Sequence, residues 1–273
     1  MDNQTVQKHF AAMGARVLLH PPALVWARRR RNELPSPLVI DVRVDRLGEY
    51  FDIGVDAKLA DIDVLDVRPK ARHLLLLGRL DEGRRKDKFL CGHDERSWFV
   101  AAIPGDRGVS NVRTALEALK PESVRAAQDR LYLRSRDRSR RRNEAYVRQG
   151  EWFFVPAPDL VADPKLVFRN EPLRRGGGKP HMCAELYREG GTTVYVCSRH
   201  PNGLTVTEYE RVLRGMPDAR TWGWQTMRRN PRAYARGRVW HADHTTVVLP
   251  FWHRVEMNTE NRSRAMAKLA FLD

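Results

Sequence analysis

Cysteine is scarce in this chain of 273 residues: only Cys91, Cys183 and Cys197 occur. Three is too few, and an odd number, for a disulfide framework, so the composition points to a reduced compartment. No stretch approaches the roughly 20 consecutive apolar residues that span a bilayer. The segment from Met1 to Lys8 has no basic start followed by an apolar run, so no secretory signal is read there. A cytoplasmic location with no membrane partner is the expectation. Signature motifs are missing too. The chain has no CxxC pairs, HExxH helix, dinucleotide fingerprint, nucleophile elbow, helix-turn-helix or RNP1 pattern. The glycine-rich segment Arg174-Arg175-Gly176-Gly177-Gly178-Lys179-Pro180-His181 has Pro after its Lys, which excludes a Walker loop.

Lysine is also rare, with nine residues, so 40 of the 49 cations are arginine. Against 34 acids they leave a formal charge of +15. A surface of that sign attracts polyanions, because each phosphate neutralised releases a counterion. The charge is unevenly placed. Eight acids and three cations lie between Asp41 and Asp66, whereas nine arginines and three acids lie between Arg125 and Arg148. Shorter basic knots occur at Arg28 to Arg31 and at Arg84, Arg85 and Lys86.

Apolar residues make up 42% of the chain, enough for a core. Val6, Phe10, Met13 and Val17 share helical spacing, and Pro21-Pro22 would end that helix. Short alternating runs follow from Leu38 to Ile103, interrupted by the unbroken apolar run Leu74–Leu77, which reads as a buried strand, and by a turn at Cys91-Gly92-His93-Asp94-Glu95 between Phe89-Leu90 and Trp98. Ser110 reads as the N-cap of a helix to Leu119, and Pro121 opens another. From Arg134 to Glu144 no large apolar residue occurs, as in a solvated helical strap. Beyond Gly150 strands and turns dominate, with Pro250 read as a turn between Val247–Leu249 and Trp252–Met257. The expected fold class is α+β: a helix-plus-antiparallel-sheet domain (1–110), an Arg-rich helical linker (111–148) and a β-rich, barrel or sandwich-like domain (149–273).

Four constellations could carry chemistry. In the first, His241, Asp243 and His244 precede His253, with His181 in a separate glycine-rich loop and Cys183 two residues beyond it. Three imidazoles and a carboxylate suit a divalent metal or an acid–base pair. His241 and His244 would point to opposite faces of a strand and converge only in a bend. His253 could meet them across a turn at Pro250. The second is the Cys91–Arg96 turn, whose reactive residue types suit a catalytic loop, or a structural zinc with Cys183, Cys197 and His200. The third is the basic loop of Arg174, Arg175 and Lys179, suited to a phosphate backbone. The fourth is the strap, where Arg134, Arg138 and Arg141 or Arg142 would form a stripe near Tyr132 and Tyr146. Trp222-Gly223-Trp224, followed by Arg228-Arg229, is a comparable aromatic–basic segment whose shared face reads as core.

These observations support three functions. The first is a non-catalytic nucleic-acid-binding protein, RNA ahead of DNA, gripping phosphates with the strap and with Arg174, Arg175 and Lys179. The second is a metal-assisted phosphodiesterase or other hydrolase built on His181, His241, Asp243, His244 and His253. The third is a scaffold whose acidic and basic segments bind protein partners.

Overall fold

The computed structural model describes residues 3–21, 37–58, 60–105, 108–175 and 178–263. The Arg28–Arg31 knot and Gly176-Gly177 lie outside the described residues. The chain is a mixed helix-and-strand fold dominated by four sheets, none of them a closed barrel among the described residues.

Helix α1 (Asn3–Ala12) opens the chain and buries Val6 and Phe10. It stops earlier than the apolar spacing predicts. Gly14 adopts φ +80°, Ala15 N–H returns to Phe10 O at 2.9 Å, and Val17 begins a strand. That strand, β1 (Val17–His20), pairs in parallel with β3 (Gly48–Val55), which pairs antiparallel with β2 (Leu38–Asp45). A second sheet is a four-stranded meander of β4 (Ala60–Arg68), β5 (His73–Leu80), β6 (Arg85–Asp94) and β7 (Ser97–Ile103).

The continuous run Leu74–Leu77 has a physical reason, since both faces of β5 are covered. Leu74 and Leu76 join α1, Phe51 and Ile53 in one core, while Leu75 packs with Leu90 and Ala101 beneath helix α2 (Val112–Ala118). An aromatic chain crosses the first core, with Phe10 and Phe51 centroids 5.0 Å apart and Phe51 and Trp98 5.5 Å apart. The N-cap of α2 is Asn111, one residue beyond Ser110, because its side chain accepts the Thr114 N–H at 3.0 Å.

Helix α3 (Glu122–Arg130) follows Pro121 as expected. The expected helical strap is a single turn, α4 (Ser135–Arg138), then irregular chain. The carbonyl of Arg138 gathers three donors at 2.7 Å: Lys120 Nζ, Gln128 Nε2 and the Tyr146 hydroxyl. Three strong donors on one carbonyl hold this segment against α3, which an unbound helix would not allow.

The third sheet has six antiparallel strands in the order β10 (Val167–Leu173), β11 (His181–Glu189), β15 (Arg232–Trp240), β16 (Val247–Met257), β9 (Trp152–Pro156) and β8 (Val147–Gln149). The two strands expected on either side of Pro250 are one strand. Pro250 falls in a bulge where the pairing jumps from Gly237–Leu249 to Ala235–His253, so its missing N–H breaks no ladder bond. Laid flat, β8 and β15 would be roughly 14 Å apart, three strand spacings. Yet Gln149 Nε2 of β8 donates to Val239 O of β15 at 3.2 Å. The sheet therefore rolls its β8 edge over its own concave face, which encloses Phe154, Leu173, Leu186, Val239 and Leu249. The last sheet, β13 (His200–Thr205), β12 (Thr192–Cys197) and β14 (Gln225–Arg229), carries helix α5 (Val206–Gly215).

Phe51→Ala should cost about 3–5 kcal/mol, the usual loss for a buried aromatic. Urea denaturation should show a lower midpoint with an unchanged slope.

Candidate metal centre

Register places the first histidine. Met182 of β11 lies opposite Trp240 of β15, so His181 and His241 fall side by side at one end of that pair. The chain then bends through 241–246 before β16 begins, and the bend turns His244 back toward both. Ring centroids are 4.2 Å apart for His181–His241, 4.8 Å for His241–His244 and 5.3 Å for His181–His244. One ligating nitrogen from each ring lies within 4.8 Å of the other two. All three are buried, at 1%, 7% and 6% exposure respectively.

The polar turn between β8 and β9 completes the cluster. Gln149 Nε2 donates to Val239 O and, at 2.7 Å, to Thr245 O, so its Oε1 is left to accept from His181 Nδ1 at 2.9 Å. In the neutral ring that bond puts the proton on Nδ1 and turns the Nε2 lone pair of His181 toward the cluster, the arrangement that orients metal-ligating histidines. Glu151 Oε2 lies 3.5 Å from His181 Nε2. Gly150 supplies the space. It adopts φ +57°, and a Cβ there would lie 2.8 Å from His244 Nε2 and 3.3 Å from His181 Nε2. In His241 the accepting nitrogen is Nδ1, which takes the Asp243 N–H at 3.1 Å. A cation on this ring would exchange that bond or turn the ring over.

Five buried polar atoms lack a hydrogen-bond partner here: Glu151 Oε2, His181 Nε2, His241 Nε2 and both nitrogens of His244. Each such group costs about 1–3 kcal/mol when left unsatisfied. Their convergence makes them a donor set for a cation. Burial, reinforced by its two neighbours, pushes the His241 imidazole down to about 4. Burial and His181 lower His244 in the same way. Both rings are thus neutral near pH 7. Burial works to raise the Glu151 carboxyl; His181 in its protonated form, with Arg175 behind it, outweighs burial and holds the carboxyl below the ordinary range.

The centre borders a cleft enclosing about 950 Å³ of unfilled space, counting its open mouth. His244, Gly150 and Glu151 form part of its wall, with Lys120, Arg148 and Arg175 contributing cations. The tip of the β6–β7 hairpin braces it. Asp94 accepts from Arg148 at 3.0 Å and from Arg141, and Glu95 accepts the Thr245 N–H beside His244. The turn expected to be a catalytic loop is thus a brace for the histidine loop. Cys91 is buried and its thiol is pushed up by burial, and Cys183 sits in the core of the rolled sheet, pushed up to about 12.

His181, His241 and His244 are the candidates that the fold brings together. Asp243 lines the cleft and bonds Lys179 Nζ at 2.8 Å. His253 lies apart, opposite Ala235 and Pro156, donating from Nδ1 to Phe251 O at 2.8 Å; with no turn at Pro250, β16 carries it past the cluster. Arg138 pairs with Asp129 and Glu117, Arg141 with Asp94 and Glu95, and Arg175 with Glu260. Arg142 donates to Val248 O at 3.3 Å, while Arg134 and Arg174 are exposed. Gln149, Gly150 and Glu151 escaped the sequence reading, because a Gln-Gly-Glu turn between apolar runs carries no signal beyond a hairpin. Compared with models of known families, with curated proteins and with solved structures, the chain matches none.

Gly150→Ala should lower the thermal midpoint more than Gly14→Ala does. Both residues have positive φ, so each substitution costs about 1–2 kcal/mol of backbone strain, but a Cβ at Gly14 meets open space. Equal shifts in the two melting curves would show that the Gly150 contact carries nothing. A pH series gives a second check. Burial lowers His73, His241, His244 and His253 below their ordinary value, so the unfolded chain takes up protons first as the solution is acidified. The metal-free protein should hold its urea midpoint above about pH 6.5 and lose stability from there down toward pH 4.

Proposed function

We propose that this protein is a metal-dependent hydrolase of phosphate esters, with His181, His241 and His244 holding one divalent ion and Glu151 facing it. The observation that carries this reading is the convergence of three buried imidazoles and a buried carboxylate whose facing atoms have no hydrogen-bond partner. Imidazole donors suit zinc and its transition-metal neighbours over calcium or magnesium. Three protein nitrogens leave a coordination position open, as catalytic centres need and structural ones do not. When bound, such an ion lowers the pKa of a coordinated water toward neutrality and polarises a phosphoryl oxygen.

The remaining chemistry belongs to the chain. Glu151 would take a proton at its Oε2, a buried carboxylate oxygen with no hydrogen-bond partner. Lys120, Arg148 and Arg175 line the adjoining cleft, each paired with a carboxylate of the chain (Glu117, Asp94 and Glu260), so a phosphoryl group would draw on their charge only by sharing or displacing those partners. Gln149 acts through His181, holding its tautomer and ring orientation. The net charge of +15 favours encounter with an anionic substrate.

Titration of chelator-treated protein with Zn²⁺ or Co²⁺ should show about one tight equivalent, with His244→Ala abolishing it and Gln149→Ala weakening it about 10–100-fold. Hydrolysis of a chromogenic phosphodiester should follow metal occupancy and collapse in Glu151→Gln, which keeps the site's shape. Absence of metal uptake by the wild-type protein overturns the reading, and uptake without hydrolysis reduces it to a metal-binding protein.

A further inference from the structure

The sheet of β12, β13 and β14 carries a second group of side chains that shares no residue with the histidine cleft. Its aromatic rings are half-buried and belong to none of the hydrophobic cores. The sequence expectation that Trp222 and Trp224 face a core is therefore corrected. The sheet is only three strands wide and buries little beyond Val194, Cys197 and Ala219, so it has no interior deep enough for two tryptophans.

The rings are ordered instead. His200 lies nearly parallel to Trp224, 11° at 5.6 Å, and to Trp222, 23° at 6.0 Å. The two tryptophans are inclined by only 26° to each other, with centroids 6.0 Å apart. Trp224 is held by its Nε1–H, which donates to Ala219 O at 2.7 Å, and by the edge of Tyr209, which itself stacks on Tyr195 at 3.9 Å. The guanidinium of Arg199 sits 4.3 Å above the Trp222 ring.

Charge points to the occupant. Six arginines lie between Thr192 and Arg229, against Glu208, Glu210 and Asp218. Among the described residues none of the six forms an ion pair with a carboxylate. Arg229 braces the carbonyls of Asn202 and Gly203, and Arg199, Arg211, Arg214, Arg220 and Arg228 are exposed. The strap is the reverse case, with Arg138 and Arg141 already neutralised by the chain's own acids. Unneutralised guanidiniums beside near-parallel, half-buried rings match a ligand made of flat bases joined by phosphates. A neutral sugar would use the rings and leave the cations idle. Duplex DNA would meet the cations and hide its base faces.

We infer that the β12–β13–β14 face binds single-stranded nucleic acid, with unpaired bases stacking at Trp222 and His200 and phosphates meeting Arg199, Arg220 and Arg228. The inference does not depend on a metal, so it is tested in chelator. Fluorescein-labelled oligo-dT and oligo-U should bind wild-type protein, with affinity falling steeply between about 50 and 300 mM salt. Trp222→Ala should weaken binding about tenfold and Trp222→Phe should restore part of it. Arg228→Ala, on an exposed site that leaves the rings in place, should lower the salt slope by about one. Binding indifferent to Trp222→Ala and Arg228→Ala overturns the proposal. So does duplex DNA binding as tightly as the single strands, or a neutral oligosaccharide binding with no salt dependence.

Discussion

The buried amide of Gln149 is the constraint on which the centre depends. Its nitrogen ties β8 to the end of β15 and to the loop after His244, and its oxygen orients His181. One side chain thus holds the sheet rolled and sets the tautomer of a ligand. A rolled sheet offers a concave face that is apolar in its depth and can be polar at its rim. The rim is where the histidines lie, and neighbouring strands supply the packing that fixes them. Burial gives these groups their character, because an imidazole or a carboxylate sheltered from water interacts strongly with whatever it faces.

The arginines divide into two populations with different physical roles. Arg138, Arg140, Arg141 and Arg148 bind carboxylates of the chain, and the last two hold the hairpin tip at Asp94 and Glu95, where Glu95 also meets the histidine loop. Charge-assisted hydrogen bonds of this kind gain more than exposed pairs because they are partly sheltered. A count of net charge cannot separate these fasteners from the unneutralised set around Trp222. The acidic segment Asp41–Asp66 is likewise largely internal bookkeeping, with Asp52 bonded to His20 and Arg43, and Asp63 to Arg79.

Much of the fold was legible in the sequence. Alternation marked most strands, and the doubly covered strand at Leu74–Leu77 announced itself as an unbroken apolar run. Two of the three histidines were legible as a pair that a bend would bring together, and His181 as an outlying member. His253 was misplaced because Pro250 carries the local signal of a turn, and only the pairing partner of the strand reveals that it occupies a bulge. Glu151 and Gln149 were invisible for another reason. Their role arises from a sheet edge folding over its own face, and no local spacing records that closure. Trp222 and Trp224 were read as core because spacing reports which residues share a face, and burial depends on how much structure lies behind it.

The brace between Glu95 and Thr245 joins residues 150 positions apart. A chain leaving the ribosome completes the hairpin that carries Glu95 long before the histidine loop exists, and every member of the cluster waits for contacts of high sequence separation. The centre therefore cannot form until β8 has closed over β15. Its geometry then serves as a checkpoint, because a chain that has collapsed but not rolled its sheet has the same histidines and no place where they meet.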